Sequence, residues 1–131
     1  MPFERIAKCF DDTLNAITLI QSWVEEAGGA EQAILCDLKA RSAIERQLLI
    51  ISEAAIRLDR LDPTTAPRLA PSVDWSGIRG IGNFIRHKYD DLDTSILIDV
   101  ISNRLTELRQ ACLRALALLE SNGFLTPPEP N

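Results

Sequence analysis

One segment of the sequence, residues 75–90, concentrates the side chains that could carry chemistry. It reads W-S-G-I-R-G-I-G-N-F-I-R-H-K-Y-D. In a helix, with about 100° per residue, four of its polar side chains fall within an arc of roughly 100°, opposite the isoleucines. They are two guanidiniums, an amide and an imidazole, from Arg79, Asn83, Arg86 and His87.

This set of groups suits the cleavage of a phosphodiester. A histidine moves protons near neutral pH, and neighbouring arginines hold the phosphate and stabilise the charge of its pentacoordinate transition state. With a ribose 2′-hydroxyl as internal nucleophile, the result is metal-independent RNA cleavage through a cyclic phosphate. The same polar stripe is typical of the solvated face of any amphipathic helix, so the pattern by itself leaves a purely structural helix open.

Residue counts exclude several other chemistries. His87 is the only histidine, so sites that need two imidazoles are ruled out, and the nucleophile elbow G-x-S-x-G does not occur. Carboxylate metal centres of helical bundles use E-x-x-H pairs, which the sequence lacks. Cys9, Cys36 and Cys112 lie far apart and predict apolar fillers in a reducing cytosol. We therefore expect neither a metal nor a cofactor.

The charge balance limits how the chain can meet nucleic acid. A formal net charge of −5 argues against binding by bulk electrostatics, so any contact must be local. Of the 14 cationic residues 11 are arginines, which recognise phosphate in a planar, bidentate way. The N-terminus has no signal-peptide pattern, and no uncharged apolar stretch is long enough to span a membrane. We expect a soluble, cytoplasmic protein without membrane contact.

The elements that must position these residues are helices. Residues 3–27 carry an apolar stripe at spacings of three and four, which predicts a long helix that Gly28 and Gly29 end. Residues 30–61 repeat the pattern with a wider stripe, which is typical of a central helix. The proline-containing residues 62–74 predict an extended connection that ends at Asp74, an N-cap.

Two further helices complete the predicted fold. The third covers residues 75–89, and the fourth covers residues 94–121 after an N-cap at Asp93. No β-hairpin signal occurs, so the fold class is all-α, a four-helix up-and-down bundle. It forms one domain, residues 1–125, and we expect the proline-rich tail, residues 126–131, to be disordered.

The third helix is unusual in holding three glycines, Gly77, Gly80 and Gly82. Each costs about 1 kcal/mol relative to alanine in a helix interior. Their clustering therefore predicts a close approach of the backbone by another helix or by a phosphate. Trp75 and Phe84 are expected to pack in the core rather than to stack on bases, because the chain has few aromatic residues.

Four stretches of the sequence resemble the HepT-like branch of the HEPN superfamily. They are I-I-S-E-A-A-I-R-L in helix two, the Trp75 start of helix three, N-F-I-R-H-K-Y at residues 83–89, and the D-D-L-D that follows. The resemblance covers nearly the whole chain. It implies an all-helical homodimer of HEPN type whose third helices meet at a composite cleft. In active relatives this cleft is the catalytic site of a metal-independent endoribonuclease. It also implies a toxin paired with a minimal nucleotidyltransferase antitoxin, which can attach AMP to a tyrosine of the motif R-N-x-x-x-H-x-Y.

Matched to that motif residue by residue, Asn83, His87 and Tyr89 take the positions of the asparagine, the histidine and the modifiable tyrosine. The resemblance thus implies that His87 is the catalytic acid or base and that Asn83 orients the substrate or the histidine. Gly82 stands where the motif has its arginine.

The nearest guanidiniums to that position are Arg79, almost one turn earlier, and Arg86, beside the histidine. We expect them to hold the phosphate of an RNA substrate. Glu53 in helix two also matches the family, and it is expected to pair with Arg79 or Arg86, either for function or as a structural ion pair.

Two functions stay open at this point. The first is a HepT-like ribonuclease toxin, which the run N-x-x-R-H-x-Y favours. The second is a catalytically silent HEPN dimer that binds a nucleotidyltransferase partner or a nucleotide, which Gly82 favours because it replaces the arginine.

Overall fold

The structure, a computed structural model, describes residues 2–87 and 94–121. All regular secondary structure in these residues is helical, as the all-α prediction requires. The helices are α1 (Pro2–Ala27), α2 (Leu38–Leu61), α3 (Thr65–Leu69), α4 (Trp75–His87), α5 (Thr94–Asp99) and α6 (Leu105–Ser121). Two π-helical segments accompany them, Gln32–Cys36 before α2 and Val100–Arg104 between α5 and α6.

Helix α1 has the predicted length and buries the predicted stripe. Ile6, Phe10 and Ile17 are each at most 3% exposed. The helix ends because Gly28 and Gly29 take positive φ angles of 95° and 130°, which glycine adopts without steric cost. The Gly29 N–H donates to the Val24 carbonyl and the Gly28 N–H to the Glu25 carbonyl, the hydrogen-bond pattern of a Schellman motif.

Helix α2 is shorter than the predicted helix over residues 30–61. Asp37 interrupts that stretch with an extended backbone, φ −134° and ψ 93°, and its carboxylate accepts from the Ala40 N–H at 3.0 Å. An aspartate that caps a new helix in this way competes with continuation of the preceding one. The single predicted helix is therefore a π turn followed by α2.

The connection after α2 is also more regular than predicted, because it contains α3. Pro67 lies in the first turn of this helix, where its missing N–H has no intrahelical partner to lose. The Asp62 carboxylate accepts from the Thr64 N–H at 3.0 Å and from the Thr64 hydroxyl at 2.8 Å. These hydrogen bonds, with one from Thr65, lower the pKa of Asp62 to about 2.

Helix α4 begins where the sequence predicts. The Asp74 carboxylate accepts from the Gly77 N–H at 3.0 Å, which is the N-cap arrangement. Trp75 is 7% exposed and donates from its indole Nε1 to the Ala70 carbonyl at 3.1 Å, and its ring meets that of Phe10 edge-on at 6.3 Å. Trp75 is thus a packing residue, as predicted, and Phe84 is half-buried against the same core.

The helices pack around one core. Helix α1 lies against α2 and α6, and α2 lies against α4. From Thr94 to Ser121 the chain is continuously helical, as predicted, but it passes through the wider π turn at Val100–Arg104. The predicted cap Asp93 lies outside the described residues. Among the helices of the described ranges, none combines the length and the apolar character that a membrane span needs.

Candidate functional site on helix α4

The site is built on the contact between α2 and α4, and Ser52 is at its centre. Ser52 is fully buried, and its hydroxyl donates to the Arg79 carbonyl at 2.7 Å while its Oγ accepts from the Gly82 N–H at 3.2 Å. A Cβ on Gly82 would lie 2.8 Å from Ser52 Oγ and 3.1 Å from Ser52 Cβ. The two helices can approach this closely only because residue 82 has no side chain.

Two ion pairs flank this contact and join the same two helices. Arg79 Nη1 lies 3.8 Å from Asp59 Oδ1, and Arg86 Nη2 lies 3.9 Å from Glu53 Oε1. Because the residue order on α2 is opposite to that on α4, the helices run antiparallel at this contact. Of the two predicted partners, Glu53 therefore pairs with Arg86, and Arg79 pairs with Asp59 instead.

These pairs orient side chains more than they stabilise the fold. The Arg86 and Glu53 side chains are 47% and 50% exposed, and exposed ion pairs contribute about 0–1 kcal/mol. Both pairs place a guanidinium beside α2, and the Arg79 and Arg86 side chains stay 32% and 47% exposed, so a ligand can reach them from solvent.

Arg86 occupies the space above Gly82. Its Nη2 lies 3.3 Å from the point at which a Cβ on residue 82 would stand. Residues four apart are neighbours on a helix surface, and long side chains lean toward the N-terminus, so Arg86 folds back over the preceding turn. A guanidinium is thereby present over the position at which the family motif has its arginine.

Among the remaining predicted site residues, Asn83 and the backbone of His87 lie on α4. Asn83 is exposed on the same helix, directly after Gly82. The backbone of His87 forms the last residue of α4, and its side chain lies outside the described residues. Tyr89 lies outside the described residues altogether.

The three glycines of α4 have three different environments. Only Gly82 shows the predicted close approach of another helix. A Cβ on Gly77 would meet the carboxyl group of its own N-cap, Asp74, whereas a Cβ on Gly80 would have no neighbour within 4 Å among the described residues. Within one chain the predicted close approach is therefore confirmed for Gly82 alone, and the described residues leave space beside Gly80 for another molecule.

Ser52 and Asp59 are contributors that the sequence patterns missed. Ser52 belongs to the stretch I-I-S-E-A-A-I-R-L, and the signal was available: it is a lone hydroxyl among apolar residues on the buried face of α2. A buried hydroxyl needs a hydrogen-bond partner, and a backbone group of a neighbouring helix can supply one.

No group of three or more His, Cys, Asp or Glu residues that could hold a metal ion occurs in the described part of the chain. Cys9 and Cys112 are buried, as predicted, while Cys36 is exposed, so the prediction of an apolar filler is wrong for that residue. Burial raises the pKa of the Cys9 thiol and raises that of Cys112 to about 12. Neither buried thiol is a nucleophile at neutral pH.

Comparison with known proteins finds similarity to proteins described as ribonucleases. The family model described as "Ribonuclease HepT-like" matches residues 13–115 of the chain. A protein of Thermococcus cleftensis described as "Probable ribonuclease HepT" is 27% identical over 99 residues, which span 76% of this chain and 84% of that protein. No solved structure matches. The family match extends from the middle of α1 into α6 and includes every candidate site residue, so the chain belongs to the HepT-like ribonuclease family.

Proposed function

We propose that this chain is a metal-independent endoribonuclease that cleaves RNA at a site formed on α4. One observation carries the proposal: the guanidinium of Arg86 lies over Gly82 and is paired with Glu53. Arg86 directly precedes the single histidine of the sequence, His87. A member of a ribonuclease family thus keeps a cation at the motif position even though the motif arginine is replaced.

The proposed reaction is an internal transfer at phosphorus. The 2′-oxygen bonds to phosphorus as its proton passes to a base, and the bond to the 5′-oxygen breaks as that oxygen gains a proton. The products are a 2′,3′-cyclic phosphate and a free 5′-hydroxyl. His87 is the proton-transfer residue, Arg79 and Arg86 hold the phosphate and its developing charge, and Asn83 orients the substrate or the imidazole.

We place the cleft at a homodimer interface formed by α4. In support, two grooves of about 300 and 180 Å³ open between α4 and the helical segment that begins at Thr94, and they share the lining residues Gly77, Ile81, Ile96 and Val100. Ile96 is 45% exposed there, and Gly80 leaves space for a close approach. A second copy would cover this apolar surface and would bring a second His87 to the cleft.

The family also suggests how such an enzyme is controlled. We place this chain in a toxin-antitoxin pair, with a minimal nucleotidyltransferase as antitoxin and Tyr89 as the residue that receives AMP. Tyr89 follows Arg86 by three residues in the sequence, so an AMP added to it would bring negative charge and a purine that compete with RNA by charge and by volume.

We also propose that the protomer closes as a four-helix up-and-down bundle, in which α5 and α6 together form the fourth helix.

The direct test uses purified protein and single-stranded RNA. Cleavage should continue in EDTA, should leave a cyclic or 3′ phosphate, and should be lost in His87→Ala. Cleavage that persists in His87→Ala, or that stops in EDTA, would overturn the proposal. Co-expression with the nucleotidyltransferase should add AMP mass to the wild type and none to Tyr89→Phe.

The same test distinguishes a second candidate function from the first. The presence of Gly82 in place of the motif arginine favours this second function. If the guanidinium of Arg86 does not replace the motif arginine in catalysis, the chain is a silent dimer that binds a nucleotidyltransferase or a nucleotide. It would then bind a nucleotide or its partner without cleaving RNA, and the His87→Ala change would leave that binding unaltered.

A further inference from the structure

A second cationic surface lies at the other end of the outer face of α2, away from Arg86. A groove of about 360 Å³ opens between the start of α1 and the end of α2, and it is lined by Arg5, Lys8, Arg57 and Arg60, with Cys9 and Leu61. On a chain with a net charge of −5, four cationic side chains around one groove are a local concentration of positive charge. We call it the α1/α2 groove.

One carboxylate partly neutralises this groove. Asp12 lies 3.1 Å from both Lys8 Nζ and Arg57 Nη2, and the two cations stay 69% and 50% exposed. Arg5 and Arg60 form no ion pair with another described residue. The cations therefore outnumber the acid by three, and their heads face solvent, where an anion can reach them.

The floor of the groove is apolar. Cys9 is 4% exposed beneath it, Leu61 is 37% exposed at its edge, and the aliphatic stems of the arginines complete the wall. A cationic rim over an apolar floor matches a ligand that carries phosphates on one side and a flat, weakly polar body on the other. A nucleotide within an RNA strand has this chemistry.

The groove and the candidate active site lie along the same outer stripe of α2. Glu53, Arg57 and Arg60 follow one another at spacings of four and three residues, so they share the outer stripe of the helix. Arg86 joins this stripe at Glu53, and Arg57 and Arg60 lie about 6 and 10 Å farther along the axis. A single strand held at Arg86 would reach the groove after roughly one or two nucleotides.

We propose that the α1/α2 groove is a phosphate-binding subsite for the flanking nucleotides of the RNA substrate. The proposal rests on the proposed ribonuclease function for the identity of the strand. An acidic protein segment is the less favoured occupant, because three of the four rim cations are arginines, which suit bidentate phosphate binding, and because the floor offers an apolar surface to a base.

The test measures binding separately from cleavage. A 2′-O-methyl oligonucleotide has no internal nucleophile and cannot be cleaved, so its affinity for the full chain can be measured with wild-type protein. Two lengths are compared, about four and about twelve nucleotides, because only the longer can occupy both α4 and the groove. The groove variant is Arg57→Gln/Arg60→Gln, and the control is Arg114→Gln, an exposed arginine on α6.

We expect Arg57→Gln/Arg60→Gln to bind the longer probe roughly tenfold more weakly or worse and the shorter probe as the wild type does. The slope of log affinity against log salt should fall by about 0.7 for each phosphate that the variant no longer neutralises. Arg114→Gln should change neither quantity. Equal affinity of wild type and groove variant for the longer probe would overturn the subsite, as would tighter binding of polyglutamate than of RNA.

A parallel cleavage assay distinguishes the two failures. If wild type cleaves RNA but the groove variant binds the longer probe normally, the subsite is wrong and the proposed function stands. If wild type does not cleave and the groove variant still shows weaker binding and a smaller salt dependence, the groove is an RNA-binding surface on a protein whose proposed catalysis is wrong.

Discussion

The Oγ of Ser52 stands 2.8 Å from the point at which a side chain on Gly82 would begin, and this contact joins α2 to α4 across 30 residues of sequence. The arginine of the family motif cannot simply be restored at position 82, because its first carbon would overlap a buried hydroxyl. In this chain, the lack of a side chain at position 82 and the buried Ser52 hydroxyl are two parts of one packing arrangement.

Gly82→Ala should therefore lower the free energy of unfolding by roughly 1–3 kcal/mol, since it overpacks the α2–α4 contact. In a Ser52→Gly background the same change should raise it by up to about 1 kcal/mol, because alanine is the better helix former and the obstruction is gone. Denaturant unfolding of the four proteins measures this reversal of sign. Gly80→Ala is the control, since a Cβ at that position would meet no atom within 4 Å in the described part of the chain. The same sign in both backgrounds would contradict the packing argument.

Among the arginines of α4, Arg86 should matter most for cleavage. Arg86→Ala should lower kcat/KM roughly 100-fold, as the removal of a donor to a developing oxyanion does, and Arg79→Ala should cost less because its guanidinium lies at Asp59. Glu53→Gln should reduce kcat/KM through Arg86 alone, so it should add nothing in an Arg86→Ala background. Fully additive effects of Glu53→Gln and Arg86→Ala would show that Glu53 acts by another route.

Gly80→Trp should weaken self-association without unfolding the protomer. The position is exposed, and no described residue lies within 4 Å of the place of a Cβ there, so the indole has room, but it would project from the surface that we assign to the dimer. Sedimentation velocity over a range of concentrations measures the change, and circular dichroism checks that the helix content is kept. Ile96→Glu should act in the same direction. Unchanged association in both variants would place the interface elsewhere.

The thiols should differ sharply in reactivity. At pH 8, a thiol-alkylating reagent should add one label to the native chain, at Cys36, because Cys9 and Cys112 are buried and burial raises the pKa of both. After denaturation all three cysteines should react. Intact mass before and after unfolding gives the count, and Cys36→Ser should leave the native chain unlabelled.

Asp62 should make the free energy of unfolding depend on pH in the acidic range. Its folded pKa of about 2 lies below the ordinary value of 3.8, so its contribution is complete above pH 4 and is lost as the pH falls toward 2. Asp62→Asn should be less stable than wild type at neutral pH, and the difference should shrink through that interval. A difference that stays constant down to pH 2 would mean that the hydrogen bonds to Thr64 and Thr65 do not favour the carboxylate.

Periodicity predicted the parts of the fold that depend on amphipathic faces. The buried stripe of α1, the Asp74 cap of α4 and the continuous helix over residues 94–121 all follow from where apolar and capping residues stand. Periodicity did not predict the break at Asp37 or the short helix α3. Both depend on local competition between side-chain and backbone hydrogen bonds, which leaves the apolar pattern almost unchanged.

The sequence predicted which residues form the candidate site, but it did not predict which of them form ion pairs with one another. The motif indicated Asn83, His87 and the arginines, and it left Glu53 with two possible partners. Which guanidinium meets Glu53 depends on the relative position of α2 and α4, and this is set by the Ser52–Gly82 contact, a feature of tertiary packing that no helical period contains.

The π segment Val100–Arg104 marks a place at which the chain length can change by one residue. Its wider turn holds one more residue than an α-helical turn would, so the removal of a single residue there would restore α-helical hydrogen bonding while α5 and α6 kept nearly the same rotation about the helix axis. Ile96, which lies before the segment, would then keep its place in the groove beside α4, and α6 would keep its contact with α1. Relatives that differ in length by one residue at this point can therefore present the same outer surface.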